Sequence, residues 1–328
     1  MKSILLAPIQ SSTYSSEGLI NAFRREFDEV SVFNWQNAKL HEGKEGMQQR
    51  LITKADSEKP DIIFLQMQNP EALDTSTASI LAEIGFVVNY TFDVRDDIEW
   101  YKNIGRYIGL TLFGDMISVN RYKRESGKNN VDYLPSSADF NIYKPLNLNG
   151  KKDPDCPEII FIGGRYDNTS LNFPLAKHRV EMVEFMQDTF GGKFKAYGMG
   201  WVKGSPHINP QQEVMLYNSA KCAITHNQFY SPGYSSDRIW RSLGCGCATV
   251  SHYFVGINQQ FNPHVISTWI DFDMLKEECQ KFLDNKEYRI NKGQAGAQWV
   301  RDHHSWGNRI SELKRLILKH GYKAKTLQ

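Results

Sequence analysis

The chain has 328 residues, of which 41% are hydrophobic, 23% charged and 12% aromatic, a composition that excludes disordered, collagenous and multi-span membrane classes. At this length two cores of ordinary size are expected rather than one. The net charge of +2 is unevenly spread, with 16 Lys/Arg against 20 Asp/Glu in residues 1–150 and 23 against 17 beyond them, which makes the second half the better host for an anionic ligand.

MKSILLAPIQ has an apolar core of only a few residues, so it reads as a first strand and not as a signal peptide. No run approaches membrane-spanning length, and a cytoplasmic protein is expected. After Ile4–Ala7, strands are expected at Val30–Phe33, Ile62–Leu65, Phe86–Asn89 and Met116–Val119. Helices are expected near Glu17–Phe27, Lys44–Ala55, Leu73–Glu83 and Ile98–Leu110. That alternation implies a parallel, doubly wound α/β sheet, whose ligand edge is made by the loops after the strands. The loop Pro8–Ser16 offers small polar groups but has no GxGxxG fingerprint. YTFDVRDDIEW places Asp93, Arg95, Asp96 and Asp97 behind a buried strand, where a general base or a positioning carboxylate belongs. Asp96 and Asp97 read rather as caps of the next helix, with Arg95 paired to a neighbouring acid, while for Asp93 the structural and chemical readings stand side by side.

Residues 135–157 are proline-rich and aperiodic and read as an interdomain linker. The alternation then restarts, with strands at Glu158–Ile162, Lys193–Tyr197, Cys222–Thr225 and Ala248–Val250. Helices are expected at Lys177–Thr189 and Gln211–Ser219. Four successive strand ends present Gly163-Gly164-Arg165, then Tyr197-Gly198 with Gly200 and Trp201, then His226-Asn227, and the turn Ser235-Ser236 with Arg238. Glycines let backbone approach a ligand closely, and Tyr197 or Trp201 could stack on a base. In YSSDRIWRSLGCGCATVSHY, Tyr234–Tyr253, serines precede an amphipathic helix that ends at Gly244 and Gly246. Its open N-terminus and Arg238 could receive a phosphate, although the same residues also make an ordinary capped helix. Cys156, Cys222, Cys245, Cys247 and Cys279 have no metal-type spacing, so reduced thiols and no metal site are expected. The tail from Phe272 is helical, over Met274–Leu283, Glu287–His303 and Trp306–His320.

The order FIGGRYDN, KHRVEMVEFM, KAYGMGW, EVMLYNSAKCAITHN, SSDRIWRSLGCGCATVSHY and LDNKEYRINKGQAGAQWVRDHHSW resembles the spore-protein CgeB-like glycosyltransferases of the GT-B fold, in their phage-type subfamily. In the first half, VVNYTFDVRDDIEWY and VDYLPSSADFNIYKP are similar too. The resemblance implies two Rossmann-like doubly wound domains facing a central cleft. The acceptor domain would be residues 1–140, a linker 141–157, the nucleotide-sugar domain 158–304, and residues 305–328 a helix crossing back to the first domain. It implies a metal-independent hexosyl- or pentosyltransferase with no cofactor, a nucleotide-sugar (UDP-linked by expectation) serving as co-substrate. Arg165, Ser235, Ser236 and Arg238 would meet the diphosphate, Tyr197, Gly198 and Trp201 the base or sugar, and His226 and Asn227 the cleft. Asp93 is the candidate base, with Gln10, Ser11 and Arg95 as acceptor contacts. A hydroxymethylated base of phage-type DNA is one candidate acceptor, in which case the protein would work in the host cytoplasm.

Gly233 and Arg241 stand where many retaining relatives have two glutamates eight positions apart, and this departure reads as a subfamily trait. Two other classes fit the same architecture: a sugar-nucleotide epimerase, and a noncatalytic nucleotide-sugar-binding protein.

Overall fold

The computed structural model describes residues 1–10, 16–95, 97–147, 153, 155–167, 173–201 and 208–323. The chain divides into two compact units, Met1–Pro135 with Trp306–Gln328, and Ser136–Ser305.

In the first unit, β1 (Ser3–Ala7), α1 (Glu17–Glu26), β2 (Glu29–Val32), α2 (Trp35–Glu58), β3 (Ile62–Leu65), α3 (Thr75–Ile84), β4 (Phe86–Thr91), α4 (Glu99–Ile104), β5 (Leu110–Phe113), α5 (Met116–Ser126) and β6 (Val131–Tyr133) alternate along the chain. The six strands form one parallel sheet in the order β2-β1-β3-β4-β5-β6. Ile62, Ile63, Phe64 and Leu65 are all buried. Helices cover both faces of such a sheet, so its central strands read as unbroken apolar runs and not as an alternation.

The strand expected at Met116–Val119 is instead the first turn of α5, and the strand is Leu110–Phe113. Asp115 decides the matter, because its carboxylate accepts the Ser118 amide hydrogen at 2.9 Å and starts a helix there. The helix expected over Ile98–Leu110 stops at Ile104. α2 begins nine residues before the expected Lys44 and bends at Gly43, whose φ of 71° breaks the helical run.

In the second unit the order is β7 (Ile159–Ile162), α6 (Ala176–Phe190), β8 (Phe194–Tyr197), α7 (Pro210–Ser219), β9 (Cys222–Thr225), α8 (Asp237–Gly244), β10 (Ala248–His252), α9 (Ile257–Gln260), β11 (Ser267–Trp269), α10 (Phe272–Asp284) and α11 (Lys286–His304). Its five strands are parallel in the order β11-β10-β9-β7-β8. The chain runs outward from β7 to β8, then crosses back to β9 on the other side of β7. A crevice therefore opens at the C-terminal ends of β7 and β9.

Part of the stretch read as a linker packs into this unit. Tyr143 is buried and donates its hydroxyl hydrogen to Glu213 at 2.8 Å, while the Leu146 amide donates to Asn218 Oδ1 at 2.7 Å. The last helix, α12 (Trp306–Lys319), buries Trp306, Ile310, Leu313, Leu316 and Ile317, a stripe at helical period. That stripe shares a core with Leu19, Ile20 and Phe23 of α1, and Lys314 bonds Glu26. Lys319 and His320 both donate to Asp132 at 2.7 Å. Four of the five cysteines are buried, and none is in a disulfide.

Candidate active site

At the crevice of the second unit the ends of β7 and β8 run against each other. The Gly163 amide donates to Tyr197 O and the Arg165 amide to Met199 O, both at 2.8 Å. Gly198 has φ 121°, and a Cβ there would lie 2.7 Å from Gly163 O, so only glycine lets the two chains approach this closely. The Trp201 indole N–H closes the same turn onto Gly163 O at 2.6 Å, and its ring meets Phe161 edge-on. Trp201 is thus a buried brace of the glycine turn, which leaves little of its ring open for the stacking on a base that the sequence allowed for it or Tyr197. Tyr197 stays half-buried, with Lys195 Nζ over its ring at 4.9 Å, and burial pushes its phenol up to about 12.

Asn227 sets the turn that leads from β9 into α8. Its Oδ1 accepts the Ser236 amide at 2.9 Å and its Nδ2 donates to Tyr234 O at 3.0 Å. Ser236 is the residue that begins α8, yet its hydroxyl accepts from Arg238 Nη1 at 3.0 Å, and no side chain caps the helix. The positive end of α8 is thereby left open, with a guanidinium beside it. A Cβ on Gly163 would lie 3.4 Å from Arg238 Nε, which places that guanidinium over the glycine turn. Burial alone would loosen Arg238's proton, and neighbouring Asp237 more than offsets this. The Ser235 hydroxyl is buried without a hydrogen-bond partner among the described residues.

Arg165 does not offer its charge to this turn. Its Nε and Nη2 meet Asp167 at 2.8 and 3.0 Å in a two-pronged ion pair. The cation that sequence reasoning missed is Arg179, on the first turns of α6. It is 1% exposed and donates to Gly164 O and His226 O, both at 3.0 Å, tying the ends of β7 and β9 together. No carboxylate pairs with it among the described residues, and its Nε has no partner. Burial, then Arg238, lowers its pKa to about 9. The signal was present in KHRVEMVEFM. Arg179 shares a helical face with Met182, Val183 and Met186, all buried, and an arginine in an apolar stripe asks for a reason.

Arg241 is committed to acidic partners within the unit. It bonds Glu213 at 3.0 Å and Asp237 at 2.5 Å, with its guanidinium 5.2 Å from the centre of the Tyr143 ring. Gly233, with φ 78°, is a turn residue whose carbonyl accepts from Gln260. His226 is buried, with Nδ1 facing Asn227 O at 2.6 Å.

In the first unit, the ends of the adjacent strands β1, β3 and β4 carry the other candidates. The Gln10 amide donates to Gln36 Oε1 at 2.6 Å, and Ile9 N to Gln66 Oε1 at 3.0 Å. Asp93 is two-fifths exposed and pairs with Arg95 at 3.6 Å, while Arg95 also bonds Gln68. Asp97 accepts the Glu99 amide at 2.8 Å from one residue before the N-cap, Ile98. Ser11 and Asp96 lie outside the described residues.

The model of a glycosyl transferase-like family matches residues 178–315. A comparison with curated proteins finds no sequence relative. Among solved structures, HepE of Anabaena in complex with UDP-glucose aligns with a TM-score of 0.61 at 11% identity, covering 96% of this chain and 99% of its own. Sucrose-phosphate synthase from Thermosynechococcus elongatus aligns at 0.59 and 10% identity, covering 98% and 100%. A glycosyltransferase from Rickettsia africae aligns at 0.58 and 10%, covering 97% and 98%. At such identity the likeness speaks for the fold. Among the described residues no helix is long and apolar enough to cross a membrane. Two parallel-sheet Rossmann-like units of the GT-B kind, with residues 178–315 matching a glycosyl transferase-like family, are what this chain consists of.

Proposed function

We propose that this protein is a glycosyltransferase that moves a sugar from a nucleotide-sugar, UDP-linked in the first instance, to a hydroxyl acceptor. The observation that carries the reading is the pair Arg238 and Arg179, two guanidiniums without a carboxylate within ion-pair reach among the described residues, at a glycine turn and an uncapped helix N-terminus. Buried or half-buried cations in that setting fit a diphosphate. As the glycosidic bond breaks, negative charge grows on the leaving phosphate, and donors already aimed there stabilise it without a metal at the diphosphate. The family match and the UDP-glucose bound by HepE support the same donor class.

On this reading the second unit holds the donor through Arg238, Ser235, Ser236, Gly198, Tyr197, His226 and Asn227. Arg179 joins them as the buried brace of the turn. The first unit receives the acceptor near Gln10, Ser11 and Arg95, with Asp93 taking the hydroxyl proton. Within the GT-B transferases the motif order favours the CgeB-like, phage-type group and a cytoplasmic setting. A hydroxymethylated base in DNA is the acceptor to try first, against a polysaccharide, a protein and small alcohols.

The test begins with thermal melting in UDP, GDP and their sugars, because a ligand of the folded state raises the melting temperature. It continues with release of nucleoside diphosphate in the presence of each acceptor. A rise with one nucleotide family and acceptor-dependent release are expected. No shift with any nucleotide or nucleotide-sugar overturns the proposal. Conversion of the free donor without an acceptor would make the protein an epimerase instead.

A further inference from the structure

Three histidines far apart in the chain meet at the sheet edge of the second unit. They are His178 on the first turn of α6, His226 just after β9 and His252 at the end of β10. One ring nitrogen from each lies within 4.8 Å of the others. His178 Nδ1 and His226 Nε2 are 3.0 Å apart. Around a tetrahedral zinc ion with Zn–N of ~2.1 Å, neighbouring ligand nitrogens sit about 3.4 Å from one another. The first two are at hydrogen-bond distance and would part by about 0.4 Å to take an ion between them, and the His252 ring would close in from within 4.8 Å.

The tautomer of His226 suits a ligand, and an ion would displace the proton that His178 Nδ1 shares with it. His226 Nδ1 faces the carbonyl of Asn227, which can only accept, so this nitrogen carries the proton and Nε2 turns its lone pair into the cluster. A metal-bound imidazole whose other N–H donates to a backbone carbonyl has the usual outer support of such sites. Burial disfavours the charged form of all three rings. Trp269 and Phe272 stack on His178, leaving a dry wall on one side. On the other, His252 and Asn227 line a cavity of about 300 Å³ through which an ion could enter.

From this geometry we infer that His178, His226 and His252 form a binding site for one divalent transition-metal ion of the zinc type. Three neutral imidazoles suit zinc, cobalt, nickel or copper and do not suit calcium or magnesium, which take oxygen. The neighbouring Arg179 charge, bonded to the His226 carbonyl, opposes a dication and weakens the site relative to a thiolate one. The ion would join α6, β9 and β10. Through His226 it would stiffen Asn227 and the turn into α8. The ion is not placed on the diphosphate, and it would act on the proposed donor site only by fixing His226 and, through it, Asn227.

The experiment uses the full chain, stripped with a chelator and titrated with zinc chloride by calorimetry and with cobalt chloride in the visible range. One equivalent of zinc and an intense tetrahedral cobalt spectrum are expected. His178→Ala and His252→Ala should each lower zinc affinity at least tenfold, and His264→Ala, at an exposed histidine, should leave it unchanged. Zinc binding that survives both substitutions, or no binding above buffer, overturns the site. If the alanine variants fail to fold, the wild-type cobalt spectrum decides alone, and the pale six-coordinate aqua spectrum overturns the site.

Discussion

Replacing Arg241 with alanine takes away the cation that bonds Glu213 in the second unit. Glu213 has a side chain only 5% exposed, and its remaining partner is the Tyr143 hydroxyl on Oε2, since Oε1 has none among the described residues. A carboxylate left behind in this way costs about 3–5 kcal/mol. Arg241 itself is 21% exposed, so water can reach the gap, and the low end, about 3 kcal/mol, is the better figure. For a domain of this size each kcal/mol moves the melting temperature by about 2–4 °C, which gives a fall of about 6–12 °C in the transition of the second unit. Differential scanning calorimetry reads it directly. The companion variant Glu213→Gln/Arg241→Met removes both charges and fills the space, and it should recover more than half of the loss. A melting temperature for Arg241→Ala within about 2 °C of wild type would refute the reasoning, as would a double variant no more stable than the single one.

Arg238→Ala should lower kcat/KM for transfer by about 100-fold or more, the equivalent of ~3 kcal/mol of transition-state stabilisation, and weaken nucleotide binding in a thermal-shift titration. Arg165→Ala, whose guanidinium already belongs to Asp167, should change kcat/KM less than threefold, and equal losses at the two arginines would contradict the assignment. Asp93→Asn should cost about 100-fold or more in turnover if this carboxylate takes the acceptor proton, with melting little changed because its ion pair is long, at 3.6 Å, and partly open to water. A near-normal rate removes it from that role. Asp132 should make the docking of α12 acid-sensitive. Burial pushes its carboxyl up, but the bonds from His320 and Lys319 more than offset this and hold it below the ordinary value. A carboxylate lowered in the folded state contributes stability that is present above about pH 4 and fades as pH falls below that. Hydrogen exchange along α12 should therefore speed up below about pH 4, and Asp132→Asn should abolish that dependence.

Local pattern carried much of the architecture. Ile62–Leu65 and Cys222–Thr225 are strands because buried parallel strands must be apolar on both faces, which is visible in four letters. The helix after β9 was readable from its apolar stripe, although the serines before it do not cap it: Ser236 accepts from Arg238 instead. Met116–Val119 shows the limit. Its apolar spacing suits either period over so short a stretch, and one cap at Asp115 settles it.

By itself, then, the order of residues determined two alternating α/β halves, the glycines at the strand ends and the excess of positive charge in the second half. Each depends on neighbours within a few positions. Only the tertiary structure decided which charges are spent. Arg165 is neutralised by Asp167, Arg241 by Glu213 and Asp237, and Arg179 reaches the turn with no counter-ion among the described residues. It also brought together His178, His226 and His252 from three separate elements. Charge pairing and ligand clusters depend on distance in space, and the fold sets that distance between residues that the chain keeps far apart.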